Sequence, residues 1–202
     1  VALDEIAKAR ALDASDPLVP YAWGLAHLAL GDRATAEKSL EEAQRLAPND
    51  PDILHALGSL RCTVGRFEEG LALLHQAAMN PYYPRRARSL ANHAWCAWRA
   101  GDESAVQNEI DMALALQPDD FLVQVRALQW AARNRQWAIA DRHLERLVQR
   151  APDDPMVWWL AANLAHAKGD RLNEARWAER LRQEAPNRLE TRKLERGEWE
   201  SW

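Results

Sequence analysis

The chain is defined first by what it lacks. No apolar run approaches the roughly 18 residues that a bilayer-spanning helix requires, and no signal-peptide pattern is seen. The six histidines show no pair at helical metal-ligand spacing, and no glycine-rich phosphate loop opens a helix. No nucleophile, base and orienting group suggest a catalytic constellation, so the expectation is a protein that is not an enzyme and carries no cofactor and no metal. A net charge of −4 argues against nucleic acid, which demands a basic face. Two cysteines are compatible with either a reducing or an oxidising compartment. With 48% hydrophobic and 28% charged residues, nothing suggests disorder.

What is present is a period of 34 residues. Gly24, Gly31, Ala36, Leu40, Ala43 and Pro48 occupy positions 8, 15, 20, 24, 27 and 32 of a block from Pro17 to Asp50. Gly58, Gly65, Gly70, Leu74 and Ala77 repeat the pattern, as do Ala94, Gly101, Val106, Ile110, Ala113 and Pro118 after a two-residue insertion near 81–86. Leu128, Arg135, Ala140, Leu144, Leu147 and Pro152 come next, then Ala162, Gly169, Ala178, Leu181 and Pro186. Small residues at 8 and 20 let two helices approach, glycine at 15 supplies a left-handed turn, and proline at 32 stops the second helix. This is the tetratricopeptide signature. The expected fold class is therefore all-α, a tetratricopeptide α-α superhelix of antiparallel hairpins forming one solenoid over 1–202, because each hairpin must cover the apolar face of its neighbour.

The expected division is a half repeat over 1–16, repeats over 17–50, 51–86, 87–120, 121–154 and 155–186, and a C-terminal cap over 187–202. First helices are expected near 18–30, 51–64, 85–100, 120–133 and 154–168. Second helices are expected near 1–13, 33–46, 67–79, 103–116, 136–150 and 171–184, with a capping helix over 190–198. Ala2, Ile6 and Ala9 sit at positions 20, 24 and 27 of an earlier block, so half a repeat is expected before Val1.

Ten tryptophans carry the next signal. Trp23, Trp137 and Trp158 fall at core positions, with Trp23 expected to be buried against Ala36 and Leu40. His93 at position 7 is expected to be a packed histidine. In tetratricopeptide hairpins, positions 2, 5, 9, 12 and 13 of the first helix line an inner groove. That ruler places Arg88, Trp95, Trp98, Arg99, Gln129, Arg133, Trp159, Asn163 and His166 there, and position 6 adds Arg126. Aromatic residues interleaved with arginine are the types enriched at binding hot spots, which implies a protein or peptide partner. The alternative is that these tryptophans fill the inside of the superhelix. A clamp for a free carboxylate is disfavoured. Asn92 and Arg126 match two of its five positions, but His55, Ser59 and Leu122 replace the rest, including both lysines.

From Leu54 onward the chain resembles the type IV pilus biogenesis and stability lipoproteins, the PilF/PilW family of secretin pilotins. The resemblance is carried by 58–70 (GSLRCTVGRFEEG), by 80–88 (NPYYPRRAR), by Cys96, and by the closing 169–171 (GDR) and 185–191 (APNRLET) segments. A two-residue expansion bearing Tyr-Pro between repeats is its most specific element. The resemblance implies a periplasmic protein tethered to the outer membrane by a lipidated N-terminal cysteine before Val1, touching the membrane only through that lipid. Its implied partner is an outer-membrane secretin, whose localisation and assembly it assists. The alternative reading is a cytoplasmic peptide-binding adaptor.

Four further expectations are local. Cys62 and Cys96, at positions 12 and 10 of adjacent first helices, face each other as a disulfide or as two buried thiols. The insertion carrying Tyr82, Tyr83, Arg85 and Arg86 protrudes as an ordered turn with a basic surface extended by Arg88. Leu128 opposite Ala140 makes the fourth complete hairpin the least regular. In the last hairpin Ala175 is expected to take the inward place of Glu174.

Overall fold

A computed structural model describes residues 5–6 and 15–199, and among these every regular element is a helix. The helices are α1 (Leu18–Ala29), α2 (Arg33–Leu46), α3 (Pro51–Thr63), α4 (Phe67–Met79), α5 (Arg86–Arg99), α6 (Val106–Leu116), α7 (Phe121–Arg133), α8 (Trp137–Arg150), α9 (Pro155–Lys168), α10 (Arg171–Glu184) and α11 (Leu189–Glu195). Glu5 and Ile6 are helical; the rest of the helix expected over 1–13 lies outside the described residues. Two compact units divide the chain, Val1–Leu116 and Gln117–Trp202.

Helix starts are written in aspartate. Asp50, Asp120 and Asp154 accept backbone N–H groups at the starts of α3, α7 and α9, while Asp32 and Asp170 do so at α2 and α10. Each such cap satisfies donors that the helix itself cannot, a contribution of about 1 kcal/mol. The late start of α6 has the same origin. Asp102 accepts both the backbone N–H and the hydroxyl of Ser104, at 3.0 and 2.7 Å, holding 102–104 in a turn so that helix begins at Val106 rather than near 103.

In the first unit, Ala36, Leu40, Leu54, Leu57, Leu60, Leu73 and Ala77 form one buried cluster. Close helix approach is most severe in the second hairpin, where positions 8 and 20 are both glycine. A β-carbon on Gly58 would stand 2.9 Å from Leu74 Cγ and 3.0 Å from the Gly70 carbonyl oxygen, and one on Gly70 would collide with Cys62 Sγ. Cys62 and Cys96 are bonded, with α-carbons 5.5 Å apart, so α3 and α5 of successive hairpins are covalently joined against Gly70.

Trp23 departs from expectation: it is half-buried, and its ring lies 5.2 Å from that of His27. Gly24 faces Ala36 and Leu40 instead, its hypothetical β-carbon 2.8 Å from Leu40 Cγ. One residue is about 100° of helix, enough to turn Trp23 to the side of that contact. His93 is also only half-buried, and its Nδ1 pairs with Glu109 Oε2 at 2.8 Å across the third hairpin. A carboxylate partner therefore replaces the apolar packing expected around it.

In the second unit, the fourth hairpin solves position 8 differently. Leu128 is fully buried among Val125, Leu147, Val157 and Leu160, whereas Ala140 belongs to a separate cluster with Ala131, Ala132 and Leu164, against which Trp137 packs. Arg135 replaces the turn glycine yet keeps its left-handed conformation, φ 54° against 86° at Gly65. Glu174 retains its own place in the last hairpin and Ala175 is exposed, reversing the expected exchange. The carboxylate is not unpaired: His166 Nδ1 lies 3.2 Å and Arg171 Nη1 3.3 Å from Glu174 Oε2. Helix α11 closes this unit, with Leu194 in the cluster of Trp158, Trp159, Ala178 and Leu181 and the Thr191 hydroxyl donating to the Ala185 carbonyl at 2.7 Å. It ends before Gly197, at φ 67°, three residues short of the expected limit.

Candidate functional site

In the first unit the candidate face is built by α3 and α5. Arg88 and Trp98 are half-buried on α5, and Arg99 is exposed with its guanidinium 5.2 Å from the Trp95 ring centre. Trp95 packs over the cluster of Cys62, Leu74 and Cys96, so the disulfide lies beneath the aromatic surface. The neighbouring polar positions are tied across the two helices. His55 Nδ1 lies 2.9 Å from Ser89 Oγ, and Asn92 Nδ2 donates to Ser59 Oγ at the same distance. Cross-helix hydrogen bonds thus use His55 and Ser59, two of the three residues that stand in place of a carboxylate clamp.

The insertion is ordered but only half of it protrudes. Asn80 Oδ1 accepts the Tyr82 N–H at 3.0 Å, leaving the Tyr82 ring 91% exposed at the tip. Tyr83 turns inward to 5% exposure and its hydroxyl donates to Asp52 Oδ1 at 2.6 Å. Burial, and then the Asp52 carboxylate, push the Tyr83 phenol well above its ordinary pKa, and the same two causes raise Tyr21. Arg85 pairs with Asp52 Oδ2 at 2.5 Å, and Arg86 Nε donates to the Ala78 carbonyl at 2.7 Å. These two guanidinium groups secure the turn to its own hairpin, while Arg85 stays exposed at the surface.

In the second unit the expected groove residues lie on α7 and α9. Arg133 is exposed, and Arg126 Nη1 donates to Gln129 Oε1 at 2.8 Å, with Gln129 itself buried. Trp159 and Asn163 are 3% and 1% exposed, and Asn163 Nδ2 donates to the Trp159 carbonyl at 2.7 Å. Trp159 packs with Ala178, Leu181 and Leu194, and a residue with no place in the repeat pattern adds to its covering. The ring of Trp199 stacks on His166 at 4.1 Å with 6° between planes, and parallel to Trp159 at 5.8 Å with 4°. Lys193 Nζ adds a cation 5.8 Å from the Trp159 ring. Periodicity could not reveal Trp199, which lies beyond the last repeat; the only signal was the number of tryptophans.

Near the start of the same unit, Gln124 bridges the Pro118 carbonyl and His143 Nδ1, the latter at 2.6 Å. Burial, with Arg146 and Arg142 nearby, lowers the His143 pKa and favours the neutral ring. Among the described residues no group of three or more His, Cys, Asp or Glu side chains is placed to hold a metal ion, and no helix is long and apolar enough to cross a membrane.

The tetratricopeptide repeat family pattern matches residues 21–60. No curated protein matches the sequence. Among solved structures, the chain is similar to PilF of Pseudomonas aeruginosa at 18% identity and TM-score 0.65, covering 95% of this chain and 86% of that one. It is similar to PilW, a widely conserved type IV pilus biogenesis factor, at 19% identity and TM-score 0.71, covering 94% and 87%. TTC0263, a tetratricopeptide protein of Thermus thermophilus, matches at 18% identity and TM-score 0.79, covering 90% and 98%. Residues 21–60 thus carry the sequence pattern, and the described helices the all-α fold, of the tetratricopeptide repeat proteins.

Proposed function

We propose that this chain is a pilotin of a type IV pilus system, a non-enzymatic carrier that assists an outer-membrane secretin in reaching its membrane and assembling. The coarser part of this reading, a protein–protein interaction scaffold, rests on the fold, whose stacked hairpins present extended binding surface. The observation that carries the finer part is the join between hairpins two and three. There the Cys62–Cys96 bond and the docked insertion, Tyr83 on Asp52, lie within the segments that resemble the pilotin family. Disulfides persist in oxidising compartments such as the periplasm and are rare in the cytosol, which supports a periplasmic address over a cytoplasmic adaptor.

The contact surface in this reading is the half-buried aromatic and basic face of the first unit, Trp95, Trp98 and Arg88 with the exposed Arg99. In the second unit, taken by itself, the exposed Arg133 offers a separate basic contact. Tryptophan supplies apolar area at low entropic cost, and arginine forks fix register on carboxylates or carbonyls. Deleting the gene in its host tests the reading. The expected result is that secretin multimers leave the outer-membrane fraction and pili are lost. Normal secretin multimers and pili, with the protein itself found in the cytosol, would replace the pilotin by the adaptor.

A further inference from the structure

Helix α11 and the Trp199 that follows it both pack on the apolar cluster of the last hairpin. Thr191 is fully buried and bonded to the Ala185 carbonyl, and Leu194 sits in the apolar cluster of the last hairpin. Gly197 then takes a left-handed turn, and only after it does Trp199 lie across Trp159 and His166. His166 is seven residues beyond Trp159, about two helical turns, so the two rings share one face of α9. The C-terminal segment thus changes direction at a glycine: Thr191 and Leu194 hold α11, and Trp199, besides its place on that cluster, stacks on a pair of rings. Its neighbours in sequence are Glu198 and Glu200, and the cation of Lys193 stands over the same Trp159 ring.

We propose that the Trp159–His166 ring pair is a subsite for an aromatic side chain flanked by acidic residues in a partner's extended segment, and that Trp199 occupies it in cis as a displaceable latch. The occupant is defined by the one already there. Parallel faces at stacking distance accept a flat ring, and the neighbouring cation favours carboxylates beside it. A partner segment of this kind competes with Trp199 rather than meeting an open groove. This inference rests on the scaffold reading and specifies one of its contacts.

The test uses the full chain and a dye-labelled peptide of residues 197–202, Gly-Glu-Trp-Glu-Ser-Trp, followed by fluorescence anisotropy. The Trp199→Ala variant should bind this peptide at least tenfold more tightly than the unaltered chain does, because the subsite is vacated. A peptide with alanine in its first tryptophan position should lose that binding, and so should a Trp199→Ala/His166→Ala double variant. Equal binding to the unaltered and Trp199→Ala chains, or none to either, would overturn the latch. So would loss of helical circular dichroism in Trp199→Ala, since that would make Trp199 part of the structural cap. Each of these failures leaves the surface of the first unit, and with it the pilotin reading, untouched.

Discussion

The second and fourth complete hairpins occupy the same positions of one repeat and fill them in opposite ways. In the second, glycine at positions 8 and 20 brings α3 and α4 so close that a single added carbon meets a sulfur or a carbonyl. In the fourth, leucine and alanine take those positions, and the apolar contacts separate into a Leu128 cluster and an Ala140 cluster. Their turns differ likewise, Gly65 against Arg135, yet both are left-handed. The backbone path of the hairpin is thus imposed by the packing of whole helices. Residue choice at the contact decides how closely they approach and how much strain the turn carries.

Four measurements probe this contrast, in order of decreasing effect. Leu128→Ala should cost about 4 kcal/mol in urea unfolding, because a fully buried leucine leaves a cavity in a cluster that has no other large side chain at position 8. A loss below about 1 kcal/mol would mean that the fourth hairpin can close to the spacing of the second. Gly70→Ala should cost about 3 kcal/mol, the upper range for overpacking, since Cys62 Sγ is held by its bond to Cys96 and the Gly58 carbonyl is backbone. An unchanged unfolding midpoint would show the approach of α3 and α4 to be looser than described.

Arg135→Gly should raise stability by about 1 kcal/mol, because the left-handed region costs a side-chain-bearing residue roughly that amount and glycine nothing steric. A destabilised variant would give the Arg135 side chain a packing role that outweighs its backbone strain. The smallest effect concerns pH. His143 has a lowered folded pKa, so it contributes stability at pH above its ordinary value near 6.5 that is lost as pH falls through that value toward the folded one. His143→Gln should flatten this part of the stability profile as pH falls below the ordinary histidine value. An unaltered profile would assign the acid sensitivity to other groups.

The repeat ruler made most helices legible: α2, α4 and α10 match their expected limits at both ends. It did so because small residues, turn glycines and stop prolines act locally, within one hairpin. Where it erred, the cause was a specific partner that spacing does not encode. Ser104 on Asp102 delays α6, His166 and Arg171 allow Glu174 to stay inward, and a one-residue rotation puts Gly24 rather than Trp23 against Leu40. The candidate surface was legible as a set of helix positions in each unit. Its partial covering was not, because Trp199 reaches Trp159 and His166 through tertiary stacking from outside the repeats.

The most direct test of the proposed binding surface is a titration of the purified full chain against the purified secretin, comparing the unaltered protein with Trp98→Ala and Arg99→Ala. Truncation of a hot-spot aromatic or arginine costs about 2 kcal/mol, so each variant should bind about 30-fold more weakly with its helical circular dichroism unchanged. Equal affinity in all three proteins, or no binding by the unaltered chain, would contradict the claim that this surface receives a secretin.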